Sequence, residues 1–249
     1  MIFRQFFEPI SSTYTYLLGC QETGKAILID PVMPAWQRDV GQINALGLRL
    51  DCTVDTHVHA DHITSALHLK RETGSRIANA AMDALPCTDI GIKDAEPLIV
   101  GSITLEPLHT PGHTDAHFAF RSAQRLFTGD ALLIDGCGRT DFQSGDAATL
   151  YRSIHEKMFS LPEETLVYPA HDYQQRWVSS IAQERERNPR LGGGRKLDEF
   201  IAIMAGLNLP YPKFIDYAVP GNRLCGVCPQ DLPENLKQYC DEMACSPQG

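Results

Sequence analysis

The sequence has no long hydrophobic run. Its longest apolar stretches fall well short of the roughly 18 to 20 residues that a transmembrane helix requires. Residues 1 to 9 also lack the continuous apolar segment of a secretory signal peptide, because Glu8 and Pro9 follow closely on the first hydrophobic positions. We therefore expect a cytoplasmic protein whose first strand begins near the start of the sequence.

Positive charge is also scarce. Lys and Arg total 22 residues against 31 Asp and Glu, which gives a formal net charge of −9 and a pI near 5.4. Proteins that bind nucleic acids or membrane surfaces carry clustered Lys and Arg, so neither partner is expected. An anionic small-molecule substrate would need a local basic group.

Cysteine is sparse in the body of the chain. Of eight cysteines in total, four are scattered and four crowd the C-terminal end: Cys20, Cys52, Cys87 and Cys137, then Cys225, Cys228, Cys240 and Cys245. Without a secretion signal, the scattered ones are expected to be reduced thiols. The spacing of Cys225 and Cys228 is typical of zinc or redox sites, but a single pair is weak evidence. Incidental tail cysteines are therefore preferred to a second metal site or a disulfide.

Histidine and aspartate, in contrast, are concentrated in one short stretch. His57, His59, Asp61 and His62 lie within six consecutive residues. The run Val54 to Val58 is predicted to end a strand, so His57 and His59 point to the same side of it. A helix is predicted to begin directly afterwards. This density of potential ligands in one turn indicates a metal site.

The remaining chain alternates strands and helices. Strands are predicted at residues 2–7, 13–19, 25–30, 49–56, 76–80, 97–100, 103–108, 116–121, 125–128 and 165–168. Helices are predicted at 34–46, 63–72, 146–158, 174–187 and 197–206, with an irregular loop at 82–93. The alternation predicts an α/β fold. We expect a single domain over residues 1–249, with a Pro- and Cys-bearing C-terminal extension from about residue 225.

Potential ligands recur on the loops that follow predicted strands. The full set is His57, His59, Asp61, His62, His113, Asp130 and His171. These side chains suit Zn²⁺, Mn²⁺ or Fe²⁺, and they could fill two adjacent metal positions, or one position with the others as supporting partners. Spacing alone does not decide. His68 and His155, inside predicted helices, are expected to be solvated. His109 and His117 are expected to be structural, with His117 a candidate support for the metal.

Together these motifs resemble those of the metallo-β-lactamase superfamily. The matching segments are His57-Val-His59-Ala-Asp61-His62, Pro111-Gly-His113-Thr114, Gly129-Asp130 and Pro169-Ala-His171. The resemblance implies a four-layer αβ/βα sandwich with two mixed β-sheets. A more specific set, similar to the persulfide dioxygenase (sulfur dioxygenase) branch, consists of the run from Gly129 to Phe142, Leu150-Tyr151, His171-Asp-Tyr173 and Asn188-Pro-Arg190. The resemblance extends from Phe3 to about Val227.

The resemblance also implies an activity and a cofactor. Members of this branch bind one Fe²⁺ per chain and oxidise glutathione persulfide with O₂ to sulfite and glutathione, a step of sulfide oxidation. Carried over to this sequence, the iron ligands would be His57, His113 and Asp130. Two histidines and one carboxylate are the set of non-haem Fe(II) oxygenases, which leaves positions open for substrate and O₂. The supporting partners would then be His59, Asp61, His62 and His171.

Substrate binding is implied at three positions, Arg139, Thr114 and Tyr173. Arg139 would neutralise a carboxylate of glutathione, and Cys137 in the same loop would line the pocket. One departure from the branch is Asp115-Ala116, where the family carries a small pair ending in Gly. An acidic side chain beside the iron loop leaves the exact persulfide substrate open.

Two other functions remain open at this point. A dinuclear zinc thioester hydrolase of the glyoxalase II type would use all seven ligands and a metal-activated hydroxide. A metal-binding sulfur carrier or sensor would depend on Cys225 and Cys228 instead. The sequence does not fix the oligomeric state, for which a homodimer is one option. It contains no rhodanese-like domain, so a rhodanese-type sulfur-transfer partner would be a separate protein.

Overall fold

The computed structural model describes residues 1 to 240, and two six-stranded mixed sheets form its framework. The chain divides into two compact units. The first comprises residues 1–92, 99–104 and those from 211 onward, and the second comprises residues 93–98 and 105–210. Among residues 1 to 240, no helix is long and apolar enough to cross a membrane.

The first sheet lies within the first unit. Its strands, in spatial order, are β1 (Ile2–Glu8), β2 (Thr13–Gly19), β3 (Lys25–Ile29), β4 (Arg49–Val54), β5 (Arg76–Ala80) and β6 (Ile90–Ile92). The pairs β1–β2 and β2–β3 are antiparallel, and the pairs from β3 to β6 are parallel. Two of the parallel connections are helical, through α1 (Trp36–Ala45) and α2 (Ala66–Thr73). Strand β2 is buried along its whole length, as expected of a strand covered on both faces.

The second sheet has the spatial order β12-β11-β10-β9-β8-β7. Its strands are β7 (Leu98–Val100), β8 (Ile103–His109), β9 (Phe118–Ser122), β10 (Arg125–Gly129), β11 (Leu166–Pro169) and β12 (Ser179–Ser180). Only β10 and β11 pair in parallel among the pairings described for β8 to β12. The helices of the second unit are α3 (Ala147–Arg152), which continues as a π-helical segment Ser153–Met158, α4 (Ile181–Arg187) and α5 (Leu197–Ala205). The first unit gains α6 (Ile215–Asn222) from the C-terminal part of the chain.

The helix predicted over residues 174–187 is shorter than expected. Its first part is a turn, because the Asp172 carboxylate accepts the backbone N–H groups of Gln174 and Arg176. Strand β12 then pairs with β11. Helix α4 begins only after Ser180, whose hydroxyl accepts the N–H of Gln183 as an N-cap.

Two further elements were not predicted. Strand β6 lies inside the segment 82–93 that was predicted to be irregular. Helix α6 contains Pro220, a residue that argues against a helix when the sequence is read alone. Phe214, Leu236 and Tyr239 are buried in one hydrophobic cluster with Met33 and Ile63. The C-terminal stretch is therefore part of the first unit's core, while the single domain over residues 1–249 stays a prediction.

The expectation of a reduced Cys87 and an incidental Cys225 is wrong. The two residues form a disulfide, with Cα atoms 6.2 Å apart and a sequence separation of 138. Cys225 packs in a hydrophobic cluster with Val58, Ala66 and Ile77. Such a pairing depends on the fold, so the spacing of cysteines in the sequence could not reveal it. The thiols of Cys20, Cys52 and Cys137 are buried, whereas those of Cys228 and Cys240 are half-buried. Cys245 lies outside the described residues.

We expect Cys87→Ser to lower the free energy of unfolding by about 2 to 4 kcal/mol, because the disulfide closes a long loop in the unfolded chain. Thermal unfolding with and without a reductant measures this, and reductant should lower the Tm of the wild type but not of the variant. Cys228→Ser is the matched control, a half-buried thiol close in sequence to Cys225. Equal Tm values for wild type and Cys87→Ser without reductant would contradict the expectation.

Candidate metal centre

The first group of candidate ligands lies in the loop of residues 55–65, called here the histidine loop. Strand β4 ends at Val54, earlier than the sequence suggested. The reason is Asp30, whose carboxylate accepts the Thr56 backbone N–H at 2.7 Å and the Thr56 hydroxyl at 3.1 Å. These bonds turn the chain away from the sheet, so His57 and His59 are not neighbours on one strand face but members of an irregular turn.

Three imidazoles gather within this loop. The ring centroids of His57 and His59 are 4.1 Å apart, and those of His59 and His62 are 4.3 Å apart. The exposed fractions are 4%, 1% and 0% for His57, His59 and His62. Ligand atoms of His59, Asp61 and His62 lie within 4.8 Å of one another, as do those of Asp30, Asp55 and His59. The loop therefore contains a His/Asp cluster able to hold a metal ion.

A buried chain of hydroxyl groups orients the outer end of the loop. Glu8, at 0% exposure, accepts the Ser11 hydroxyl at 2.6 Å, and Ser11 lies 2.7 Å from the Thr13 hydroxyl. Thr13 donates to Asp61 Oδ2 at 3.2 Å and lies 3.3 Å from His62 Nδ1. Asp61 Oδ2 in turn is 3.0 Å from His62 Nδ1. Asp61 and His62 are thus held by strands β1 and β2 of their own unit.

The inner end of the loop is held by charge. His59 Nε2 is 3.1 Å from Asp30 Oδ1. Burial lowers the pKa of His59, but the charge and hydrogen bond of Asp30, with smaller effects of Asp61 and Asp55, outweigh it and raise this pKa to about 9. Burial raises the pKa of Asp55 to about 7 against the effect of His59, and the Thr64 hydroxyl donates to it. His59 and Asp30 form a buried ion pair when no metal is bound.

His113 of the second unit is fixed by its neighbours on both sides. Gly112 has φ 130°, and a Cβ there would overlap the backbone of Leu150. His113 Nδ1 donates to the backbone carbonyl of Arg139 at 2.8 Å, because a carbonyl can only accept. The lone pair of the imidazole is therefore on Nε2, which lies 3.6 Å from Asp130 Oδ2. A Cβ at Gly138 would collide with Asp130 and the His113 ring, so that position requires glycine.

Asp130 is held through its other oxygen and its backbone. Oδ1 lies 2.7 Å from His171 Nδ1, which leaves Oδ2 on the side of His113. The Asp130 backbone N–H donates to His117 Nε2 at 3.1 Å, so His117 carries its proton on Nδ1, where it meets Thr110 Oγ1 at 2.8 Å. His117 is fully buried. Its role is to support the Asp130 loop.

The three predicted substrate-binding residues differ in their surroundings. The Arg139 guanidinium is bound by both carboxylate oxygens of Asp141 at 2.7 Å, donates to the Pro210 carbonyl at 2.8 Å and lies 4.6 Å from the Phe142 ring centroid. Tyr173 is 78% exposed, with its ring parallel to that of His171 at 6.3 Å. The Thr114 hydroxyl is buried and has no hydrogen-bond partner among residues 1 to 240.

Two histidines predicted to be solvated pack on aromatic rings instead. His68 lies with its ring centroid 4.3 Å from that of Trp36, and His155 lies 3.8 Å from Tyr151. Both are half-buried, and burial lowers the pKa of His155. Cys137, expected to line a pocket, is a core residue of the second unit, where burial raises its pKa to about 11.

Sequence reasoning missed several residues that hold the ligands in place. Asp30, Thr13 and Asn222 all bond to the histidine loop, and Asp55 accepts the Thr64 hydroxyl within it. Asp30 could have been found, because it follows a predicted strand as Asp130 does. Thr13 and Asn222 carry no such signal, since their roles depend on contacts between distant segments.

The model of the metallo-beta-lactamase superfamily matches residues 10–89 and 84–171. The human mitochondrial persulfide dioxygenase ETHE1 is 48% identical over 235 residues, which cover 91% of this chain and 89% of the human protein. The crystal structure of ETHE1 from Myxococcus xanthus is 49% identical, with a TM-score of 0.88 over 91% of this chain and 100% of that chain.

A hydroxyacylglutathione hydrolase from Methylococcus capsulatus is also similar. It is 36% identical over 170 residues, which cover 67% of this chain and 64% of the hydrolase. The similarity to the persulfide dioxygenases is higher in identity and extends over more of the chain.

Proposed function

We propose the cofactor, ligands and substrate of this chain from its family membership. The chain belongs to the metallo-β-lactamase superfamily and, within it, to the persulfide dioxygenase branch. The predicted metallo-β-lactamase fold with two mixed sheets is thereby confirmed. The chain is a persulfide dioxygenase, an oxidoreductase that uses molecular oxygen. One observation carries this conclusion, the 48% identity to a persulfide dioxygenase over 91% of the chain.

The cofactor we propose is one Fe²⁺ per chain, with His57, His113 and Asp130 as ligands. The donor set fits a metal. His113 Nδ1 donates to the Arg139 carbonyl, and His57 Nδ1 lies 3.0 Å from the Thr56 hydroxyl, so we propose that each ring would bind the metal through Nε2. Iron, when bound, supplies the redox chemistry through which O₂ and the sulfane sulfur react.

Supporting roles are proposed for His59, Asp61, His62 and His171. His59 is bonded to Asp30, and His171 to Asp130 Oδ1, so these imidazoles orient carboxylates rather than compete for the metal. Such partners fix the orientation and tautomer of metal ligands. We propose one metal rather than the two that a glyoxalase II type hydrolase would bind, because the similarity to the persulfide dioxygenases is higher in identity and extends over more of the chain. The sulfur-carrier alternative loses support because Cys225 is bonded to Cys87.

Glutathione persulfide is the proposed substrate. One persulfide, one O₂ and one water give one thiol and one sulfite, and the four electrons that the sulfane sulfur loses are gained by O₂. The Arg139 guanidinium would bind a glutathione carboxylate, with the Thr114 hydroxyl and Tyr173 as neighbouring contacts. The buried Thr114 hydroxyl supports this role, because an unpaired buried donor is costly unless a ligand binds it.

Metal analysis combined with oxygen uptake tests the function. We expect about one iron per chain in protein purified without added metal, and O₂ consumption driven by glutathione persulfide. The thioester S-lactoylglutathione should not be hydrolysed and should not drive O₂ consumption. Two zinc ions per chain with thioester hydrolysis would overturn the proposal in favour of the hydrolase.

The Arg139→Ala variant should raise the KM for glutathione persulfide more than it lowers kcat, by about tenfold or more, because it removes a charged hydrogen bond to substrate. Asp141→Asn is the complementary variant, because the Asp141 carboxylate forms an ion pair with the Arg139 guanidinium in the structure. Releasing Arg139 from this carboxylate should lower KM. Steady-state kinetics measure both changes, and an unchanged KM in Arg139→Ala would place the glutathione carboxylate elsewhere.

A cytoplasmic location, a homodimer and a separate rhodanese-type sulfur-transfer partner remain proposals. The human, bovine and mouse relatives are mitochondrial proteins, and this location is stated of those relatives alone.

A further inference from the structure

Asn222, the last residue of α6, bonds three backbone groups of the histidine loop. Its Oδ1 accepts the Thr64 backbone N–H at 2.9 Å. Its Nδ2 donates to the carbonyl of His59 at 2.9 Å and to the carbonyl of His62 at 2.8 Å. Asn222 is 3% exposed. One amide therefore joins both ends of the segment that contains His59, Asp61 and His62.

The position of Asn222 is itself fixed by packing. Helix α6 contributes Ala218 to the hydrophobic cluster that contains Met33 and Ile63. The Cys225 backbone N–H donates to the Asn222 carbonyl at 2.8 Å, and the Cys87–Cys225 disulfide ties this segment to the body of the unit. The Asn222 amide therefore extends from a helix end that is held by core packing and by the disulfide.

The histidine loop needs such a support. Residues 57 to 62 belong to no helix or strand, so their carbonyls have no ladder partners. The carbonyls of His59 and His62 are buried with their residues, and buried backbone groups require a partner. Asn222 supplies two of these partners and an acceptor for Thr64 with a single side chain.

We propose that Asn222 is a positioning residue for the metal centre, acting through the backbone of the histidine loop. This inference rests on the proposed metal site. The amide fixes the loop so that His57 and its supporting partners keep one geometry with or without metal. Loss of that geometry weakens metal binding, as the loss of an outer partner of a metal ligand typically does by 10- to 100-fold.

Asparagine is matched to this role by having both a donor and an acceptor. In Asn222→Asp the oxygen facing Thr64 still accepts, whereas the second oxygen replaces the donor and faces the carbonyls of His59 and His62. Asn222→Ala removes all three bonds. The two variants therefore separate the bond to Thr64 from the bonds to the two carbonyls.

The test compares both variants with Ile43→Val, a control in a hydrophobic cluster of the same unit. Titration of the metal-free proteins with Fe²⁺ or Co²⁺ should show at least about tenfold weaker binding in Asn222→Asp and Asn222→Ala than in the wild type. The control should bind as the wild type does. In reconstituted enzyme, kcat per bound metal should fall with KM unchanged. Wild-type metal affinity in Asn222→Asp would overturn the inference.

Hydrogen exchange in the metal-free proteins distinguishes this inference from the proposed function. The Thr64 amide should exchange faster in Asn222→Ala but stay protected in Asn222→Asp, and amides of residues 57 to 62 should exchange faster in both. A wild type that binds no iron would overturn the proposed iron centre. Unchanged exchange of the loop in both variants would overturn the positioning role itself.

Discussion

Replacing His113 with alanine is expected to remove both the bound metal and the activity. The His113 Nδ1–H group donates to the Arg139 carbonyl, so the ring's lone pair is on Nε2, which lies 3.6 Å from Asp130 Oδ2. Nε2 is therefore the atom that would bind the metal. Outer partners of metal ligands already contribute 10- to 100-fold to affinity, so loss of a ligand should cost at least about 100-fold. Metal content after gel filtration and oxygen uptake with persulfide measure the two losses.

The matched control for this experiment is His155→Ala. His155 belongs to the same unit, stacks on Tyr151 and lies outside the candidate centre. It should retain metal and activity after a modest loss of stability. Full iron content in His113→Ala would show that the ligand assignment is wrong.

Replacing Asp30 with asparagine should have the second-largest effect. Asp30 is 1% exposed and accepts bonds from the Thr56 N–H, the Thr56 hydroxyl and His59 Nε2. Asparagine keeps the shape but removes the charge that pairs with His59. Breaking a buried ion pair typically costs about 3 to 5 kcal/mol. Urea unfolding of the metal-free protein near pH 6 should show a loss of this order.

The stability of the metal-free protein should fall as the pH rises, because of the raised pKa of His59. The pKa of His59 is raised from 6.5 to about 9 in the folded protein, so the folded state binds this proton more tightly than the unfolded state does. The resulting stability is fully present below about pH 6.5 and is lost as the pH rises through about 9. Asp55, whose pKa is raised from 3.8 to about 7, acts in the same direction at lower pH. Metal-free wild type should therefore be less stable at pH 9.5 than at pH 6.

In Asp30→Asn most of this decline between pH 6.5 and 9 should disappear, because the charge that raises the pKa of His59 is gone. Asp39→Asn is the control. Asp39 is a buried carboxyl of the same unit whose pKa burial raises to about 6, opposed by Arg38, so its loss should leave the slope above pH 6.5 as in the wild type. An equal slope in Asp30→Asn and wild type would contradict the ion pair.

Local sequence patterns predicted most of the fold. Strand β5 was predicted at residues 76–80 and is found at Arg76–Ala80, directly after the turn residues Gly74 and Ser75 that end helix α2. The failures have tertiary causes. Helix α4 starts late since Asp172 and Arg176 form a side-chain pair that closes a turn before it. Helix α6 exists despite Pro220 because its buried residues pack in the first unit.

The proposed ligands of the candidate site are visible in the sequence, whereas most of the residues that hold them in place are not. Histidines and aspartates at strand ends are visible in the sequence, and the family resemblance assigned His57, His113 and Asp130 to the metal. The supports lie far away along the chain, with Asp30 at a separation of 29 residues from His59 and Asn222 at 160 from His62. Asp30 could have been suspected from its place at the end of a predicted strand, but no periodic pattern in the sequence indicates a contact such as that of Asn222 with the histidine loop.

The division of the chain into units has a consequence for the order of events at the ribosome. The second unit is drawn mainly from the uninterrupted segment 105–210, whereas the first unit needs residues from 211 onward to complete it. Thr64 is made 158 residues before Asn222, an interval of roughly 8 to 30 s at about 5 to 20 residues per second. A nascent chain thus presents His57 to His62 well before the amide that steadies them. We expect metal uptake to be a late step of maturation, completed only after residue 222 has emerged.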